Sequence, residues 1–112
     1  MADDASVFRA LADPTRRQIL ADLRDGELSA GEIAGRFTIS GPSISRHLSI
    51  LRAAGLVTER RDANRIRYSL VPDRLAACVG TFLSAVCPDQ IALRHKRRRS
   101  GGSAVAKGDV AS

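Results

Sequence analysis

Aromatic side chains are scarce in this chain: three Phe, one Tyr and no Trp in 112 residues. Proteins that hold single-stranded nucleic acid stack bases on aromatic platforms, so that class is disfavoured. Long apolar runs are also missing. Nothing approaches the roughly 20 consecutive apolar residues of a membrane-spanning helix, and no secretory signal is visible, so no membrane partner is expected. Two cysteines and an unprocessed look make the cytoplasm the expected compartment. No nucleophile–base–acid set, metal-ligand spacing or phosphate-binding glycine loop is present, so neither an enzyme nor a cofactor is expected.

Charge is plentiful and unevenly placed. The net charge is +6. Residues 1–35 carry four Arg against seven acids, and residues 36–67 carry seven Arg against two. Residues 68–93 carry one Arg against two acids, and residues 94–112 carry six cations against one. The basic charge thus falls on the middle and the end of the chain, the footprint expected for a polyanion partner.

The middle segment has a recognisable helical grammar. In ISGPSISRHLSILRAAGLV, residues 39–57, Ser40 is suited to an N-cap. Ile39 and Ile44 occupy the two positions of a hydrophobic staple. Ile44, Leu48 and Leu51 recur at helical spacing, and Gly55 can end the helix with positive φ. The opposite face offers Pro42, Ser43, Arg46 and Ser49. Short side chains let a helix backbone approach the major groove, and an arginine can bond guanine in bidentate fashion. Upstream, Ser29-Ala-Gly-Glu32 spells a capping box with Leu28 and Ile33 as its staple. Ile33 and Phe37 give that short helix an apolar face, and Thr38, Ile39 and Ser40 are expected to form a three-residue turn. Two short helices joined so tightly make a helix-turn-helix.

Downstream the period becomes two. Val57–Arg61 and Ile66–Leu70 flank a turn at residues 62–65, with Ile66, Tyr68 and Leu70 on one face and Arg65, Arg67 and Ser69 on the other. Asp62 and Asn64 suit the turn. Arg60, Arg61, Arg65 and Arg67 cluster at its tip, so the hairpin reads as a DNA-binding wing or as a charged edge hairpin that resists aggregation.

The remaining elements are helical. One helix is expected over Ala5–Leu11, and a second opens at Asp13-Pro14 and closes by Gly26. After Pro72-Asp73 a long helix carries Leu75, Val79, Phe82, Leu83 and Val86 until Pro88 stops or kinks it. That stripe, with Val7, Phe8 and Leu11 of the first helix, either forms a symmetric dimer interface or closes the core of a single chain. Two reading heads suit a palindromic operator. Residues 1–90 are expected to form the DNA-binding and dimerisation domain. Residues 91–112 are expected to be a basic disordered tail, either solvated or an arm on DNA.

The order of elements and the words FRALADPTRRQILADL, LSAGEIAGRF, SGPSISRHLSILRAAGLV and RRDANRIRYSL resemble the ArsR/SmtB family of bacterial winged-helix repressors, over about residues 6–87. Within it the chain looks most like an autorepressor branch. The resemblance implies a mainly α fold with a small β-hairpin, a winged helix-turn-helix that dimerises through its first and last helices. It implies reading by residues Gly41–Ala54, with Ser43, Ser45, Arg46 and His47 near DNA, and an effector that alters DNA binding. The DNA-facing candidates are then Ser40, Pro42, Ser43, Ser45, Arg46, His47 and Ser49, with Arg60, Arg61, Arg65 and Arg67 of the wing. The expected partners are double-stranded DNA bearing a palindromic operator and a second copy of the chain, and the expected function is that of a homodimeric, sequence-specific repressor of its own operon.

The chain departs from the family in its ligands. Some metal-sensing members carry a C-x-C or C-V-C set on the helix before the turn, but here it reads SAGEIAGRF. Others carry Asp and His along the last helix, but no D-x-H spacing is present. The metal-sensing role is not carried over. Cys78 and Cys87 lie on opposite faces of a regular helix, with Cα atoms about 13 Å apart, beyond the roughly 7 Å reach of a disulfide. They could act as a thiol pair across a dimer, giving a thiol-responsive repressor, or be two small buried hydrophobes. His47 lies about 60° from the core stripe, where it could bond a phosphate or cap the groove rim. A different class, a winged-helix module binding an acidic protein, is the alternative to DNA.

Overall fold

In the computed structural model, residues 3–93 are described. The basic tail beyond Leu93, including Arg94, His95, Lys96 and Arg97–Arg99, lies outside them. The described residues divide into two compact units, 3–78 and 79–93.

The first unit begins with α1 (Asp4–Leu11), one residue earlier than the pattern suggests. The reason is an unrecognised N-cap: Asp3 accepts from the Ser6 amide at 2.9 Å. In α2 (Pro14–Asp22), Asp13 caps in the same way and Pro14 opens the helix. A 3-10 turn at Leu23–Asp25 follows, and Gly26 takes φ +147° to leave it. Strand β1 (Leu28–Ser29) leads directly into α3 (Ala30–Ala34), where the Ser29–Glu32 capping box forms in both directions, at 3.1 and 2.8 Å. Next come α4 (Gly41–Ala53), β2 (Val57–Asp62), β3 (Arg65–Leu70) and the start of α5 (Pro72–Val86).

The turn and the wing loop differ from expectation, and the expected hairpin gains a third strand. The turn of the helix-turn-helix is six residues, 35–40, because α3 stops at Ala34 and Phe37 leaves the helix to pack on the core. The hairpin is part of a three-stranded antiparallel sheet in the order β1-β3-β2, with Leu28 opposite Tyr68 and Ser29 opposite Arg67. The wing loop is two residues, and its positive φ (58°) falls on Ala63 instead of Asp62 or Asn64.

The core of this unit collects Ile19 and Leu20 of α2, Leu23 of the 3-10 turn, Ile33, the α4 stripe of Ile44, Leu48 and Leu51, and Leu56, Val57 and Tyr68. A 13-residue helix is marginal alone in water, so α4 persists because it packs against α1, α2, α3 and β2. Truncating one such buried leucine to alanine would cost about 2–5 kcal/mol. Val7 is fully buried in the same core. It therefore cannot touch a partner, and its place in a dimer interface is withdrawn: it lies on the inner side of α1, which α2 and α4 already cover. Leu11 and Leu75 are half-buried against this core, and Phe8 keeps 39% of its surface exposed.

In the second unit α5 continues to Val86. Pro88 interrupts it, as a residue without an amide must, and residues 88–93 are helical again. The Ile91 amide bonds the Cys87 carbonyl at 3.2 Å. The disordered tail expected from residue 91 is thus helical over 91–93, because Pro88 is suited to start a new helix as well as to end one. Val79 and Leu83 are half-buried, while Phe82 and Val86 remain 50% and 61% exposed.

Candidate nucleic-acid interface

The reading helix is held from both ends. Ser40 accepts from the Ser43 amide at 3.2 Å and donates its own proton to Ser43 Oγ at 3.0 Å. Its hydroxyl is therefore committed to the helix start, and Ser43 Oγ keeps the free donor. Pro42 fits the first turn, where an amide would be unpaired anyway. At the far end Ala54 and Gly55 (φ 79°) close the helix, and Arg52 reaches Glu59 of β2 at 3.6 Å. Between these ends Ser45, Arg46 and Ser49 are exposed on one side, with no acidic residue anywhere in α4. Arg46 has no ion pair among the described residues, so all its donors are available.

His47 is placed differently. Its side chain is only 18% exposed, and its Nδ1 lies 3.2 Å from Arg16 NH1 of α2. Asp13 Oδ2 approaches the same nitrogen at 3.9 Å, too far for a hydrogen bond. The sequence gives no hint of Arg16, whose partner is 31 residues away.

In the wing the four arginines separate into two pairs. Arg60 bonds Glu27, which also accepts from the Ser69 hydroxyl at 3.2 Å. Arg67 donates to Asp62 at 3.0 Å. Arg61 and Arg65 are exposed and without an ion pair among the described residues. Glu27, which bonds both β2 and β3, has no counterpart among the sequence-based expectations, since nothing local marks it. The Arg60 bond, with help from Ser69, holds its carboxyl below the usual range. Glu32 is lowered by the Ser29 amide of the capping box. Under the wing, burial pushes the Tyr68 hydroxyl up, with Glu59 beside it.

Among the described residues no three His, Cys, Asp or Glu converge as a metal site. Cys78 is buried, and burial with the Asp4 carboxylate nearby pushes its thiol up. A thiol is reactive as thiolate, so Cys78 is poorly suited to sensing, and the thiol-responsive alternative loses support on that residue.

A short helix, a turn, a serine- and arginine-faced second helix and a basic hairpin are the parts of a duplex-reading head. Comparison with known proteins agrees with that geometry. Residues 11–60 match a family model described as a helix-turn-helix domain. The chain is 51% identical over 65 residues to the transcriptional repressor SdpR of Bacillus subtilis, covering 58% of this chain and 72% of that one. It is 41% identical over 102 residues to the HTH-type transcriptional regulator KmtR of Mycobacterium tuberculosis, covering 90% and 78%. Its structure is similar to that of an ArsR-like transcriptional regulator from Rhodococcus sp. RHA1, with TM-score 0.65, 32% identity, and coverage of 95% and 94%.

Proposed function

The chain belongs to the ArsR family of winged helix-turn-helix transcriptional repressors, and from that premise we propose that it acts as a homodimer on a palindromic operator that controls its own operon. The observation that carries the DNA-reading assignment is the exposed, acid-free face of α4, with Arg46 unpaired at its centre. In this reading Arg46 takes guanine in the major groove, and Ser43, Ser45 and Ser49 meet base edges or phosphates beside it. Pro42 lets the first turn of α4 come close to the duplex. Arg61 and Arg65 reach phosphates from the wing tip. Ser40, Arg60 and Arg67 act one step back, holding the helix start and the wing.

Exposed apolar side chains on α1 and α5, namely Phe8, Phe82 and Val86, support the dimer. Leu11, Leu75, Val79 and Leu83 would back them at the seam. No helix among the described residues is long and apolar enough to cross a membrane, and the cytoplasm is the proposed compartment.

The test is binding of the purified protein to the duplex upstream of its own gene, against a scrambled duplex of equal length. Preference for the upstream duplex is expected, and Arg46→Ala should cost about 1–3 kcal/mol there and relax sequence choice. Equal affinity of the Arg46→Ala variant for the preferred duplex would refute the assignment of the reading face.

A further inference from the structure

We propose that Arg16 and His47 form a tie that sets the pose of the recognition helix, so that both are positioning residues and His47 does not itself contact DNA. This inference rests on the DNA-reading assignment of α4.

The guanidinium of Arg16 is fixed on three sides. Its Nε donates to the Ala10 carbonyl at 2.7 Å, and its NH2 donates to the Arg9 carbonyl at 3.1 Å. Both carbonyls belong to the last turn of α1; the Arg9 carbonyl also accepts from the Ala12 amide at 3.2 Å, and Arg16 Nε takes up the Ala10 carbonyl. The Arg16 amide is itself bound by Asp13 Oδ2 at 3.1 Å, which anchors the base of the side chain in the first turn of α2. The remaining arm, NH1, points at His47 Nδ1. A guanidinium can only donate, so Nδ1 accepts and the ring proton resides on Nε2 by that logic. A charged donor on a neutral acceptor makes one of the stronger hydrogen bonds in proteins.

This bond is directional where the rest of the seam is not. Ile44, Leu48 and Leu51 bury α4 against its neighbours, but apolar contact is non-directional. Among the described residues, the Arg16–His47 bond is the side-chain hydrogen bond that joins α4 to α1 and α2. His47 adjoins Arg46 in sequence, so a ring that slips turns the guanine-reading side chain with it. Lysine at position 16 would keep the charge and lose the planar fork needed for three acceptors.

The experiment compares the full chain with His47→Ala, His47→Asn, His47→Gln, Arg16→Lys and the Arg16→Lys/His47→Gln double variant. Affinity is measured for the preferred upstream duplex and for a scrambled one, with thermal melting alongside. Asparagine places its amide oxygen at the same bond distance from Cβ as Nδ1, whereas glutamine places its own at the distance of Nε2. His47→Ala and His47→Gln should lose about tenfold on the preferred duplex with little change on the scrambled one. His47→Asn should recover most of that loss. The double variant should lose no more than the worse single variant, because both changes break one bond. Recovery by glutamine and not by asparagine would show that Nε2 meets DNA and overturn the inference, as would additive losses. A wild type with no duplex preference would instead overturn the DNA-reading assignment, and this inference with it.

Discussion

Replacing Arg61 and Arg65 together by glutamine removes the two wing cations that carry no ion pair among the described residues, and leaves the Arg60–Glu27 and Arg67–Asp62 bonds untouched. If each free arginine covers one phosphate, each accounts for about 0.9 of the slope of log affinity against log salt, so the pair accounts for about 1.8. Between about 50 and 200 mM salt that amounts to a factor of roughly 12 in how steeply binding falls. The companion variant, Arg60→Gln with Arg67→Gln, removes the same formal charge. Its cost should fall on the fold, as exposed ion pairs of this kind contribute at most about 1 kcal/mol each, and the salt slope should stay within error of the wild type. Fluorescence anisotropy titrations on one duplex at several salt concentrations, with melting curves for each protein, measure both quantities. If the two double variants flatten the slope equally, paired and free arginines are equivalent on DNA and the division of the wing is wrong.

Acid should loosen the wing through Glu27. The Arg60 bond holds this carboxyl below its ordinary value of 4.5, so its stabilisation is complete above that value and is lost as pH falls through the lower folded one. The melting-temperature gap between wild type and Glu27→Gln should therefore close as pH is taken from about 6 to about 3, and a gap independent of pH would refute this. Ala63→Gly should relieve the left-handed strain at φ 58° and raise stability by up to about 1 kcal/mol, read from urea midpoints; a lower midpoint would count against that strain. Val86→Glu places a charge at an apolar position proposed for the dimer seam, and light scattering should report monomers with weakened operator binding. An unchanged dimer would move the seam elsewhere. Zinc or cadmium at one equivalent per protomer should leave the protein–operator complex intact, and stoichiometric release would reveal a ligand set outside those considered.

What could be read from the sequence was local. The Ser29–Glu32 capping box, Asp13-Pro14 at the start of α2, Gly55 at the end of α4 and the break at Pro88 each act within a few residues, and all four hold. The α4 stripe was equally legible, since Ile44, Leu48 and Leu51 share a face whatever covers it. Periodicity does not say what covers a face. Val7 belongs to an apolar stripe on α1 and is consumed by the core, while Phe8 beside it is left partly exposed. Strand β1 has two residues and so no period to detect. The Glu27–Arg60 and Arg16–His47 bonds join residues more than thirty positions apart, and a single sequence carries no trace of either. For the same reason the four wing arginines look equivalent until the fold assigns two of them to carboxylates.

Ser29 is at once the last residue of β1, opposite Arg67, and the cap of α3. One backbone position is thereby shared by the sheet that bears the wing and by the first helix of the reading pair. The reading helix α4 packs on both α3 and β2, so the spacing from its base-reading side chains to the wing tip is set by the same packed unit. An operator with one base pair inserted inside a half-site should lose either its groove contact or its wing contact. Spacing between half-sites is a separate quantity, which the proposed seam between two copies alone would accommodate. Natural variation among operators should therefore collect in the central spacer and spare the arms.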